Sequence, residues 1–199
     1  MNELIKTVGM AKVRVDAGFS RVGRRLKPDD PADRALVLLA ARAVSAGNAL
    51  MLLCRDGHSN ESLPLLRAVA EFAAAMRWIA AAETGPRALS VLAELDAPRW
   101  EAFWSDARLK ERAENFGLPV WAAMTALGSA PDFARGNAQG LPWGHVFADG
   151  TLPGRKPEEI LAAAAVWLAL ALEALDRRWP GDFPGAAEMR DAAQISRGQ

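Results

Sequence analysis

The stretch from Ser59 to Thr84 constrains the fold more than any other part of the chain, because it reads as one helix that is apolar on nearly every side. A helix without a polar face is normally buried. This one nevertheless contains Arg67 and Glu71, which stand four residues apart and therefore share one face. Because charged side chains are almost never buried without a partner, we expect an interior ion pair, either as a structural tie or as the floor of a polar pocket.

Composition favours helix for the rest of the chain. Of the 199 residues, 51% are hydrophobic, and Tyr is absent. Ala is abundant and β-branched residues are few, so we predict an all-α fold, an antiparallel bundle of about six helices. The formal net charge of zero gives no overall attraction to nucleic acid. The single cysteine, Cys54, excludes an internal disulfide and predicts a reducing, cytoplasmic location.

Capping residues predict the helix boundaries. Asp30 followed by Pro31 predicts the start of a helix that runs to Arg55. The connection that follows is short, so this helix and the central one are antiparallel neighbours, and Ser59 or Asn60 is expected to cap the latter. A long loop is expected before the last long helix, where periodicity disappears. The other predicted helices span 86–95, 98–115, 119–127 and 157–179, and the loop spans 129–156.

The chain divides into three segments. Residues 1–27 form a basic amphipathic helix, 28–181 the helical bundle, and 182–199 a weakly ordered tail. The basic face of the first segment favours a bundle helix whose polar face meets water. The alternative is contact with RNA or a membrane surface. The basic residues of that face are Lys6, Lys12, Arg14, Arg21, Arg24 and Arg25.

We expect neither a secretory signal nor a membrane span. The first residues alternate between apolar and basic positions, whereas a signal has a continuous apolar core. The longest apolar run, from Ile160 to Leu172, is shorter than the roughly 20 residues that cross a bilayer. Because charged residues follow it at once, this run predicts a buried core helix.

Sequence motifs of several enzyme classes are absent. The chain has no Walker loop, no dinucleotide-binding fingerprint, no HExxH motif and no nucleophile elbow. With two histidines and one cysteine, a zinc site would need carboxylates from scattered positions. We therefore expect no metal and no cofactor.

The remaining candidates surround the charged pair. Counted from the turn between the two helices, Asn48 lies at about the same depth as Arg67 and Glu71, which makes it their candidate partner. An arginine held by a carboxylate presents a planar fork to phosphate or carboxylate, and a histidine can exchange protons near neutral pH. The candidate catalytic residues are Arg67, Glu71 and His145, and the candidate ligand-binding residues are Asn48, Arg77 and Trp143.

The sequence around these residues is also similar to that of a known group of proteins. The stretch LLRAVAEFAAAMRWIA follows a helix that ends NALMLLCRDGHSNES, and a WGHVF loop and an Ala-rich last helix come later. Together they resemble a bacterial family of all-helical proteins that is similar to the HEPN superfamily of nucleotide-binding and RNase bundles. The likeness covers about residues 32–179, and its sharpest part is Arg67-x-x-x-Glu71. It implies a homodimer that binds RNA, a nucleotide or a protein partner, or cleaves RNA without metal, often in toxin or phage-defence systems.

The chain departs from the catalytic pattern of that superfamily, in which His follows Arg after four to six residues. Arg55 and His58 are too close in the chain, and Arg135 and His145 are too far apart. Two functions therefore stay open. The first is a HEPN-like binding or interaction protein with a polar Arg/Glu pocket. The alternative is a metal-independent HEPN-like endoribonuclease, with Arg67 as phosphate anchor and His145 as acid or base.

Overall fold

A computed structural model describes residues 1–82, 84–96, 122 and 156–196. These residues form six α-helices and one turn of 3₁₀ helix, without a strand among them, so the predicted all-α bundle is confirmed. Apart from Ala122 and Lys156, the predicted helices at 98–115 and 119–127 and the predicted loop lie outside the described residues. The elements are α1 (Asn2–Val22), the 3₁₀ turn (Gly23–Arg25), α2 (Pro31–Arg55), α3 (Leu63–Ala81), α4 (Thr84–Asp96), α5 (Pro157–Arg178) and α6 (Ala186–Ile195).

Helix α5 is the centre of the bundle. Every residue from Ile160 to Leu172 is buried, as predicted for a core helix, and α1, α2, α3 and α6 all pack on α5. Small side chains allow this close packing. A Cβ atom at Gly47 of α2 would lie 3.1 Å from a methyl group of Leu168, so α2 approaches α5 more closely than a larger residue would permit.

Helices α2 and α3 form the predicted antiparallel hairpin. Asp30 caps α2 by accepting hydrogen bonds from the backbone N–H groups of Ala32 at 2.8 Å and Asp33 at 3.4 Å. At the other end, Gly57 has a φ of +88°, a left-handed conformation that glycine adopts without strain. The helix therefore begins and ends where its capping residues predict.

The start of α3 differs from the prediction. The helix begins at Leu63, so neither Ser59 nor Asn60 is its cap. Instead, the Ser62 hydroxyl donates to the Ser59 carbonyl at 2.6 Å and lies 3.4 Å from Cys54 Sγ. Because these contacts hold residues 59–62 in a turn, the first helical turn forms after them.

An ion-pair cluster joins the C-terminal end of α5 to the N-terminal end of α2. Arg178 contacts the carboxylate of Asp30 and that of Asp33 at 2.7 Å each. Asp33 is buried, and its second oxygen accepts a hydrogen bond from the backbone N–H of Lys27 at 2.9 Å. This arrangement places carboxylates at the positive end of one helix and a cation at the negative end of another, which the helix dipoles favour.

Helix α4 is attached to the end of α3. The Arg87 guanidinium donates a hydrogen bond to the Trp78 carbonyl at 2.6 Å and lies 4.8 Å from the centroid of the Trp78 ring. The carbonyls of the last turn of a helix have no partner within the helix. Arg87 therefore satisfies one of them and orients α4 across α2 and α3.

The segment 182–199, for which a weakly ordered tail is expected, contains α6. Phe183, at its start, is buried against Phe19 and Trp179, with ring centroids 5.2 and 5.8 Å away. Gly18 leaves room for this ring, because a Cβ atom there would overlap it. Aromatic packing thus fixes the C-terminal segment to α1 and α5.

The basic face of α1 meets the same segment. Arg14 bonds to the Gly185 carbonyl and to the Glu188 carboxylate, the latter at 2.7 Å. Arg21 and Arg25 both contact Asp182. Part of the basic face is therefore paired within the bundle, while Lys6 and Arg24 are exposed.

One helix in the part of the chain that the structure describes, α2, is long and apolar enough to cross a membrane by length and composition alone. In the bundle it contacts α1, α3, α4 and α5. Core helices pass the same test. The expectation that the chain has no membrane span therefore stays a prediction.

The packing of Phe183 predicts that Gly18→Ala is destabilising. The added methyl group forces the ring out of its place between Phe19 and Trp179, and overpacking of this kind costs about 1–3 kcal/mol. Gly23→Ala is the matched control, since Gly23 has helical dihedral angles and no atom within 4 Å of the added Cβ. Urea unfolding of both variants measures the difference. Equal stabilities would mean that the ring does not occupy this position.

The Asp30–Arg178 contact predicts a dependence of stability on pH. Burial opposes ionisation of Asp30, but the N–H groups of Ala32 and Asp33 and the Arg178 guanidinium outweigh it and lower the pKa of Asp30. A lowered pKa stabilises the fold above the unfolded-state value, and this contribution is lost as the pH falls through the folded-state value.

Asp30→Asn tests this dependence, because asparagine keeps the helix cap and removes the charge. At pH 7 we expect a loss of about 0.5–1 kcal/mol, the size typical of partly exposed ion pairs. Below about pH 4, where Asp30 of the unfolded chain is protonated, the difference from the wild type shrinks. Unfolding curves from pH 3 to 7 measure it, and a constant difference contradicts the electrostatic origin.

Candidate functional site

Arg67 and Glu71 form the predicted interior ion pair. The Arg67 Nε donates a hydrogen bond to Glu71 Oε1, and the two side chains are 10% and 1% exposed. Both residues lie on α3, one helical turn apart, so helix geometry brings them together without help from the rest of the fold. The roles assigned to the pair, catalytic or ligand-binding, remain predictions.

The neighbours of the pair along α3 are apolar. Leu66, Val69, Ala70 and Ala74, its neighbours along α3, are fully buried, and α3 packs against α2 and α5. Removing two charges from water costs several kcal/mol for each ion, and mutual attraction offsets that cost only when the geometry is good. The hydrogen bond between the two side chains offsets part of that cost.

Asn48 lies at the level of the pair but is not bonded to it. The Cys54–Ser62 contact sets the register of the α2–α3 hairpin, and six residues back along α2 and six forward along α3 give Asn48 and Ala68. Asn48 is half-buried there. Among the described residues, its side chain has no hydrogen bond to Arg67 or Glu71, so its role as their partner stays a prediction.

Arg77 belongs to another part of the bundle. It lies ten residues after Arg67 on α3, about 15 Å along the helix axis. Burial and the nearby cations Arg177 and Arg190 lower the pKa of Arg77, while Glu173 opposes the shift. Glu173 itself pairs with Arg190 at 2.8 Å. The structure therefore places Arg77 beside α5 and α6 and does not bring it to the pair.

His145 and Trp143 lie outside the described residues. The other histidine, His58, is exposed in the turn after α2. Within the ranges that the structure covers, no group of three His, Cys, Asp or Glu side chains is arranged to hold a metal ion.

Cys54 is unsuited to nucleophilic chemistry. Burial raises the pKa of the Cys54 thiol, and Glu158 adds to the shift, although the hydrogen bond with Ser62 opposes it. The reactive form of cysteine is the thiolate. A buried thiol with a raised pKa is therefore protonated at neutral pH and packs as an ordinary core residue.

Sequence reasoning missed the cluster of Arg178, Asp30 and Asp33. Both carboxylates are predicted only as helix-start residues, and Arg178 is part of the charged end of the last long helix. The hydrogen-bonded atoms of Asp33 and Arg178 belong to residues 145 positions apart, so no local pattern links them. The one available signal was the presence of two carboxylates, Asp30 and Asp33, at one helix start, which a cation from another element can join.

Taken together, the fold and the site define an all-α bundle with an ion pair buried in its central hairpin. No protein-family model, curated protein or solved structure matches the chain. The likeness to the HEPN superfamily accordingly rests on the residues quoted for it in the sequence.

The buried pair predicts a large effect of Arg67→Ala. Glu71 would stay buried and lose its hydrogen bond and ion pair with Arg67, and breaking a buried ion pair from one side costs about 3–5 kcal/mol. Arg55→Ala serves as the control, since Arg55 and Asp56 form an exposed pair that contributes about 0–1 kcal/mol. Thermal and urea unfolding measure both. Similar losses in the two variants would falsify the interior position of the pair.

Proposed function

We propose that the chain is a HEPN-like helical-bundle binding protein whose recognition element is Arg67, held in place by Glu71. The observation that carries the proposal is the burial of this ion pair in the stretch of α3 from Leu63 to Met76, where every other residue is apolar. Apolar residues of similar volume in place of a buried ion pair are often neutral for stability or stabilising. Because the stability of the core does not require a charge at this position, we infer that the pair has a function other than stabilising the fold.

The chemistry of the pair favours an anionic ligand. A guanidinium is planar, keeps its charge at any physiological pH, and matches the oxygens of phosphate or carboxylate. Glu71 fixes the guanidinium through Nε, which leaves little rotational freedom to lose when a ligand binds. The ligand class we propose is a phosphate-bearing molecule, RNA or a nucleotide, bound by a homodimer in a toxin or phage-defence system.

Binding is favoured over cleavage for two reasons. The chain lacks the Arg and His spacing of the catalytic HEPN pattern. In addition, an arginine guanidinium can hold a phosphate but is not deprotonated in proteins, so it cannot transfer a proton. Ribonuclease activity therefore depends on His145 and is an outcome of the test below.

The test measures binding of AMP and of a fluorescent single-stranded RNA to the full chain in EDTA, by calorimetry and anisotropy. Arg67→Lys keeps a positive charge opposite Glu71 but removes the planar fork. We expect the wild type to bind at least one probe and Arg67→Lys to bind it about tenfold more weakly, which corresponds to about 1.4 kcal/mol. Circular dichroism verifies that the variant is folded.

Arg42→Lys is the matched control, because Arg42 is exposed on α2. It should bind like the wild type. The proposal fails if neither probe binds, or if both variants bind equally well. If the wild type cleaves the RNA in EDTA and His145→Ala does not, the ribonuclease alternative replaces the binding proposal.

A further inference from the structure

A groove of about 520 Å³ lies beside the first half of α2, away from the ion pair. Its volume falls within the range of about 300–1,000 Å³ that is typical of small-molecule sites. The groove lies between the turn before α2, the outer face of α2 and the second half of α4. Its lining residues are Leu26, Lys27, Pro28, Asp33, Arg34, Val37, Leu38, Ala41 and Leu92.

Most of the lining is apolar and in contact with water. Leu38 is 39% exposed, although most leucines of the bundle are buried, and Val37 and Leu92 beside it are half-buried. Covering apolar surface removes it from water, and the gain is roughly proportional to the area covered. An aliphatic group therefore gains free energy by entering the groove.

The charges that the groove presents to a ligand are positive. Lys27 and Arg34 are exposed, and within the part of the chain that the structure describes neither is in an ion pair. Among the described residues of the lining, Asp33 is the one carboxylate, and it is already bound by Arg178 and by the backbone N–H of Lys27. These residues thus offer a ligand two cations, and their carboxylate is already paired.

From this combination we propose that the groove binds an amphipathic anion, namely an aliphatic chain with a terminal carboxylate. The apolar walls match the chain, and Lys27 and Arg34 match the carboxylate. A purely polar anion would leave the apolar walls in water, and an uncharged alkane would leave the two cations without a partner. A medium-chain fatty acid satisfies both requirements.

This site is separate from the one proposed for Arg67. The α2 residues that line the groove end at Ala41, whereas Asn48, at the level of Arg67, follows seven residues later, about 10 Å along the axis. The two proposals rest on different residues and use different probes. Either can fail while the other stands.

The experiment is calorimetric titration of the full chain with dodecanoate below its micellar concentration. Leu38→Asp and Arg34→Glu place negative charge in the groove. Leu52→Asp and Arg42→Glu are the matched controls, because they change an exposed leucine, 43% exposed, and an exposed arginine of the same helix outside the groove. All four positions are exposed, so the variants should fold, and circular dichroism verifies this.

We expect saturable binding by the wild type, a loss of about tenfold or more in both groove variants, and a change of less than about twofold in both controls. Dodecanol, which has the same chain without the charge, should bind more weakly than dodecanoate. Absence of saturable binding overturns the proposal, as do equal losses in Leu38→Asp and Leu52→Asp. Equal affinity for dodecanol and dodecanoate overturns the assignment of Lys27 and Arg34 as carboxylate ligands.

Discussion

The bundle depends on one constraint, which is that α5 has no face turned to water between Ile160 and Leu172. A helix of this kind is stable only when neighbours cover it on all sides, and α1, α2, α3 and α6 provide that cover. The small alanine side chains of α5 let these neighbouring helices approach it closely. The hydrophobic effect on this helix, at about 25 cal/mol per Å² of apolar surface, is the main force that holds the described helices together.

The same constraint decides where charge can lie. Along α5 charged residues occur only at the ends, where Arg178 meets Asp30 and Asp33, and Glu173 meets Arg190. Ion pairs near the surface contribute about 0–1 kcal/mol each, so they orient the helices more than they stabilise them. Arg67 and Glu71 stand apart from this pattern, because α3 carries them into the apolar interior. That difference is why the proposed binding function is assigned to this pair.

Sequence reasoning succeeded where the cause is local. The start of α2 follows from Asp30 and Pro31, and the Arg67–Glu71 pair follows from the four-residue spacing on one helix. It was wrong about the cap of α3, because the Ser62 hydroxyl bonds within the preceding turn and not to the helix. Counting residues from the turn gave the depth of Asn48, but a hydrogen bond depends on rotamers that a count cannot provide.

No local sequence pattern predicts the contacts between segments that are distant in the chain. Helix α6 has a weak pattern of its own, and its place depends on Phe183 packing against Phe19 and on Arg14 bonding across to Glu188. Each of these contacts joins the two ends of the chain, so no window of sequence contains both partners. The groove could not be predicted from the sequence for the same reason. Leu38 and Leu92 are distant in the sequence, and they line the groove together only because α4 packs against α2.

The pairing of the two chain ends also bears on how the protein can meet an anionic partner. Arg14 and Arg21 of α1 and Arg25 of the 3₁₀ turn would form a strongly basic surface if they were free, and nucleic-acid affinity grows with the number of such cations. The C-terminal segment binds all three. Contact with RNA through these arginines would have to compete with Asp182 and Glu188, and salt would weaken it. The proposed recognition of a phosphate at Arg67 does not depend on these three arginines, because Arg67 lies on α3 and is held by Glu71.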